Sequence, residues 1–100
     1  MTRQVVDAEI SLLATSDGGR AGVLLSGYRS LLRFEGGLID FGFELEFDDE
    51  RRVTGLMPGE TGRAKLSFWA EEDLPPLNAG LRFEIREGTR LVGRGSIVEA

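Results

Sequence analysis

The chain contains no cysteine and no histidine. The first absence excludes disulfide staples and thiolate metal sites, and it fits a reducing compartment. The second removes the commonest general base and the commonest zinc ligand. Lysine occurs once, as Lys65. Catalysis would therefore have to come from Ser/Lys, Thr, Tyr or carboxylate schemes. No run of the chain approaches the ~18–20 apolar residues of a membrane-spanning helix. Asp7 and Glu9 break up the region after the N-terminus, so no signal peptide is expected. A cytoplasmic location without membrane contact is the expectation.

What is present suits one soluble domain. One hundred residues, 41% of them hydrophobic, supply a single core. Residues 1–100 are expected to form one domain, with 1–4 a flexible N-terminal tail. The net charge of −5 excludes a uniformly basic nucleic-acid binder, and no DNA partner is expected. Almost all of the basic residues are arginine. Arginine forms bidentate contacts to carboxylate or phosphate, so a local basic patch stays open.

Hydrophobic periodicity reads as strands and turns from end to end. Val6, Ala8, Ile10 and Leu12 alternate with Asp7, Glu9 and Ser11. The longest alternation sets Ile39, Phe41, Phe43, Leu45 and Phe47 against Asp40, Gly42, Glu44, Glu46 and Asp48, a long half-buried strand. Ala64, Leu66 and Phe68 mark another strand, and Leu81, Phe83 and Ile85 alternate with Arg82, Glu84 and Arg86. Turns fall at Ser16-Asp17-Gly18-Gly19, at Asp48–Arg52, at Met57-Pro58-Gly59-Glu60 and at Gly88. About six or seven strands with regular turn spacing suggest a sandwich or a small barrel, and no helix is convincing.

Four islands carry a resemblance. They are Ala8-Glu9-Ile10 leading to Gly18-Gly19-Arg20, Ser26-Gly27-Tyr28-Arg29 running on to Phe34, Met57-Pro58-Gly59-Glu60, and the terminal run Gly80 to Gly95. Their order and spacing resemble the third, C-terminal domain of bacterial elongation factor Tu, over about residues 6–99. The resemblance implies an all-β fold, a closed six-stranded antiparallel Greek-key barrel. It also implies a non-catalytic part of a GTPase, standing alone. No Walker loop with its lysine occurs, so this chain is not expected to bind GTP, and no cofactor is expected. In that family the domain packs against the GTPase domain, meets the exchange factor and helps hold the T-stem of tRNA.

Arg20, Tyr28, Arg29, Gly59 and Arg90 match family positions, and Glu60 stands where the family usually has Asp. These six are the candidate partner- or tRNA-binding residues. Where the family continues His-Thr-Pro after Arg20, this chain has Ala21-Gly22-Val23. Where it has Pro-Gln after Arg29, this chain has Ser30-Leu31. The segment Glu35 to Glu50 is more acidic than its counterpart, and acids repel phosphate. The leading expectation is thus a protein-interaction module that docks on a GTPase-like or translation-associated partner. A weak tRNA acceptor- or T-stem binder is the second reading, and a small carboxylate hydrolase a distant third.

Plainer readings stand beside the functional ones. Arg82, Arg86, Arg90 and Arg94 form either a basic stripe or ordinary solvent-facing positions paired with Glu84 and Glu87. Tyr28 either anchors a partner or fills the barrel mouth. The acids of the Asp40–Asp48 strand lie ~6.6–7 Å apart on one face, too far for most pairs to share a metal ion. Trp69 is read as a plug at a barrel end.

Overall fold

A computed structural model describes residues 4–47, 55–69 and 74–99. Eight strands follow one another: β1 (Gln4–Leu12), β2 (Leu24–Leu25), β3 (Tyr28–Phe34), β4 (Asp40–Phe47), β5 (Gly55–Leu56), β6 (Thr61–Phe68), β7 (Arg82–Glu87) and β8 (Arg90–Glu99). A 3-10 turn, Thr15–Asp17, capped by Gly18 at φ 92°, opens the expected Ser16–Gly19 turn. The expected turn at Asp48–Arg52 lies outside the described residues, and the expected tail overlaps β1 at Gln4, which pairs with Phe68.

Six strands close into an antiparallel barrel in the order β1-β6-β4-β3-β7-β8, and β8 returns to pair with β1. The consecutive long strands β3, β4 and β6 lie side by side, and β1 lies beyond β6, which is the Greek-key arrangement. Periodicity left sandwich and barrel open, because it reports faces and not partners. The β1–β8 pairing, from Ala8 opposite Ile97 to Leu12 opposite Gly93, decides for the barrel. The short strands β2 and β5 pair separately near one end.

The core follows from alternation. Val6, Ala8, Ile10 and Leu12 of β1 are buried, as are Phe41, Phe43, Leu45 and Phe47 of β4. Among the described residues no charged or polar side chain is buried. Phe34 is the aromatic hub, with ring centroids 5.8 Å from Phe41, 5.9 Å from Phe68 and 6.2 Å from Phe83. One expectation fails. Ile39 belongs to the β3–β4 loop and is 51% exposed, because β4 opens one residue later, at Asp40.

Gly95 is needed for the seam. A Cβ there would lie 2.5 Å from the Glu9 carbonyl oxygen and 2.5 Å from Phe83 Cζ. Backbone and core ring both bar it, so only hydrogen fits. At Gly42, in mid-strand, nothing lies within 4 Å of the same construction. Gly95→Ala is therefore expected to cost about 1–3 kcal/mol, the range for overpacking. For a domain of this size each kcal/mol lowers Tm by roughly 4–8 °C. Gly42→Ala should be neutral or stabilising by up to about 1 kcal/mol. Thermal melts of both variants test this, and equal Tm values would refute the role given to Gly95.

Candidate functional site

Barrel closure gathers residues far apart in sequence at the end where β3 begins and β7 stops. Tyr28 points inward from the first position of β3, on the face that Leu32 and Phe34 continue into the core. Its ring meets Phe43 edge-on at 6.1 Å. Glu87 continues the inward face of β7 after Phe83 and Ile85, so its carboxylate arrives at the same mouth. The Tyr28 hydroxyl donates to Glu87 Oε2 at 2.6 Å. Arg20 reaches over from the segment before β2. Its Nη1 donates to the same Glu87 oxygen, and its guanidinium lies 4.9 Å from the Tyr28 ring centroid. Arg20 Nη2 also donates to the Val23 carbonyl at 3.5 Å.

These contacts form a clasp. One carboxylate accepts from a phenol and a guanidinium, and the three groups tie the 20–23 segment, β3 and the β7–β8 hairpin together. The phenol is raised from 10.0 to about 12, first by burial and then by its hydrogen bond to Glu87. At neutral pH Tyr28 is therefore a hydrogen-bond donor and not a base or nucleophile. Arg20 Nε is buried without a hydrogen-bond partner. Such an atom costs stability, and the ion pair at the other side of the guanidinium offsets it.

The remaining candidates divide. Arg90 lies opposite Glu87 across the hairpin, where Gly88 turns the chain at φ 65°, and it is exposed at the clasp end. Gly59 and Glu60 build the β5–β6 turn. Gly59 has φ 88°, and its N–H donates to the Leu12 carbonyl at 3.1 Å. Glu60 accepts the Met57 N–H through Oε1 at 2.7 Å, while its own N–H donates to the Met57 carbonyl at 3.0 Å. Arg29 does not join the clasp. It stands on the outer wall, Nε 2.9 Å from Glu44 Oε2, with its guanidinium 5.4 Å from the Trp69 ring centroid. Trp69 is thus half-buried under an arginine and is not enclosed at a barrel end.

Glu87 was expected to pair with the arginine stripe. It pairs with Arg20 instead, although the register still sets it opposite Arg90, because its carboxylate turns toward the barrel mouth. The strand alternation of Phe83 and Ile85 already pointed Glu87 inward. Beside the clasp, Val23 is 40% exposed, Leu25 55% and Met57 53%. Leu25 and Val23 both flank Gly55, so they form one apolar edge on the β2–β5 pair.

The fold and this end together define a closed antiparallel β-barrel domain with a polar clasp at its mouth and an apolar edge beside it. The family model for the elongation factor Tu C-terminal domain matches residues 1–100, and the chain belongs to that family. It is a translation-factor-like β-barrel domain, of a family that forms a non-catalytic part of a translation factor.

Tyr28 is the only tyrosine, so the clasp can be read by its tyrosinate absorbance. The wild-type phenol should titrate near pH 12. Because its folded pKa is raised, the native state keeps the proton longer, and that contribution is complete below pH 10.0 and lost on the way to about 12. Tyr28→Phe should remove this fall in stability. Glu87→Ala should bring the phenol part of the way back toward 10.0, with burial holding the rest. A phenol unchanged in Glu87→Ala would refute the clasp.

Proposed function

We propose that this domain is a non-catalytic protein-docking module that binds a GTPase-like or translation-associated partner in the cytoplasm. The clasp end and the β7–β8 hairpin are the contact surface. The observation that carries this reading is the pairing of exposed apolar side chains, Val23, Leu25 and Met57, with arginine at that end. Exposed apolar groups beside Arg and Tyr are the composition of protein interfaces. Family membership supports the class of partner.

Arg20 and Tyr28 serve this surface by holding it in shape, since the clasp already uses their polar atoms. Arg90, exposed at the hairpin tip, has no ion pair among the described residues. A tRNA contact is less well supported. Asp40 and Glu44 are paired with Arg33 and Arg29, so they repel phosphate less than a count of acids suggests. The apolar edge and the net charge of −5 nonetheless disfavour a polyanion.

Calorimetric titration against the isolated nucleotide-binding domain of an elongation-factor GTPase, together with a low-salt tRNA gel shift, separates the readings. Binding to the GTPase domain is expected, weakened about tenfold or more, roughly 1.4 kcal/mol, by Leu25→Asp or Arg90→Glu. No retardation of tRNA is expected at micromolar protein. Absence of GTPase-domain binding sinks the proposal. A tRNA shift abolished by Arg20→Ala/Arg29→Ala would replace it with the RNA reading.

A further inference from the structure

On the outer wall, toward the end away from the clasp, Glu84 lies at the centre of a cross of arginines. Register sets Arg33 of β3 and Arg94 of β8 directly opposite it. Arg82 and Arg86 stand two positions either side on β7, on the same face of the strand. The Glu84 carboxylate accepts from Arg86 Nη2 at 2.8 Å and lies 4.0 Å from Arg94 Nε. Arg33 donates through Nε to Asp40 Oδ1 at 2.8 Å. Arg82 is exposed and forms no ion pair among the described residues. Arg86 Nε is buried and has no hydrogen-bond partner. Four arginines stand among four acids, Glu84, Asp40, Glu35 at the rim and Glu9 of β1 beside Arg82 and Arg94, and the guanidinium groups of Arg82 and Arg94 are the least engaged of the four as they line a cleft of about 490 Å³.

An apolar hollow of about 240 Å³ adjoins this cleft and shares its Phe34–Gly37 wall. Its far side is Leu38, Ile39 and Pro75. Leu38 is 89% exposed, the most of any large hydrophobic side chain among the described residues. A guanidinium cross and an apolar ledge thus lie edge to edge.

We propose that this wall is a second docking surface, and that its occupant is an acidic protein segment carrying an apolar side chain next to its carboxylates. Guanidinium groups match carboxylates in planar, bidentate geometry, and Glu84 already shows a carboxylate seated among them. The ledge selects protein over nucleic acid. A phosphate backbone would leave Leu38 and Ile39 without an apolar counterpart. The net charge of −5 also opposes a long polyanion, whereas a short segment meets only the local cross. The inference goes beyond the clasp-end reading. It concerns a different face and does not need a GTPase-like partner.

The probe is a fluorescein-labelled synthetic peptide in which Glu and Asp residues flank a central Leu-Phe pair, followed by anisotropy at low salt. Controls are the same peptide with Lys for its acids, the same peptide with Ala-Ala for Leu-Phe, and a single-stranded RNA oligonucleotide of equal charge. The acidic apolar peptide should bind best. Arg82→Glu/Arg94→Glu and Leu38→Asp should each weaken it about tenfold or more, with thermal melts matching wild type. Leu25→Asp, at the clasp end, should leave it unchanged, so that the two docking readings fail separately. Amide shift perturbations should fall on Gly36, Gly37 and Gly95 and not on Gly88. The proposal is overturned if no binding is seen, if the Lys or Ala-Ala peptide or the RNA binds as well, or if shifts map to the clasp end. A concentration-dependent dimer in sedimentation, broken by the same variants, would overturn it in favour of self-association.

Discussion

The seam between β1 and β8 is the contact on which the rest of the molecule depends. Without it the first and last strands of the barrel would both be open edges, exposing unpaired backbone groups over most of their length. Their pairing satisfies those groups and bends the sheet into a closed surface. It is possible only because Gly95 lets the β8 backbone approach the Glu9 carbonyl while Phe83 lies against its other side. The Phe83 ring then completes the cluster around Phe34. One missing side chain thus couples backbone closure to core packing. Closure also sets where the β7–β8 hairpin tip ends, and so where Glu87 meets Tyr28 and Arg20.

Charge is arranged by the same geometry. Among the described residues no ionisable side chain lies in the core, so their ion pairs form on the wall or at the mouth. The acids of β4 face arginines of β3 in register, Arg29 opposite Glu44 and Arg33 opposite Asp40. Cross-strand pairs at this separation are the sheet's ordinary unit of stabilisation, and each exposed one contributes little alone. Their larger effect is on charge balance. They neutralise part of the acidic segment locally, so the charge presented to a partner differs from the charge counted along the chain. Arginine suits this pattern better than lysine because one guanidinium can serve two partners at once, as Arg20 does with Glu87 and Tyr28.

The sequence made the faces legible and the partners only in part. Alternation identified the inward residues of β1, β4, β6 and β7, because period two is a property of a single strand. It put Ile39 one step too far into β4, since the residue before Asp40 keeps the period while the backbone has not yet joined the sheet. The turn at Met57–Glu60 was readable from Pro and Gly, but the use of the Glu60 carboxylate to hold the Met57 N–H was not. Barrel closure needed the family resemblance, because no local pattern states that β1 pairs with β8. The clasp was half legible. Alternation extended through Ile85 would have turned Glu87 inward, yet its meeting with Arg20 spans 67 positions and exists only once the barrel has closed. Arg29 was grouped with Tyr28 because both match family positions, but neighbours in a strand point to opposite faces, and so it meets Trp69 and Glu44 instead.

That last distinction separates two kinds of family-matching residue. A side chain whose polar atoms are already bonded within the fold has little left to offer a partner, because each new contact must first break an old one. Arg20, Tyr28 and Glu60 are of this kind, and Gly59 holds its turn through its backbone alone, so all four serve the shape of the barrel. Groups with unspent capacity among the described residues include Arg90 and Arg82 among the cations, and Leu25, Leu38 and Met57 among the apolar side chains. They lie on two separated surfaces joined by a rigid barrel. Matching the family at the first set keeps the scaffold, and substitution at the second set changes what the scaffold holds. Leu31, exposed on the outer face of β3, is a group of the second kind. It has no polar bond to break before it meets another apolar side chain.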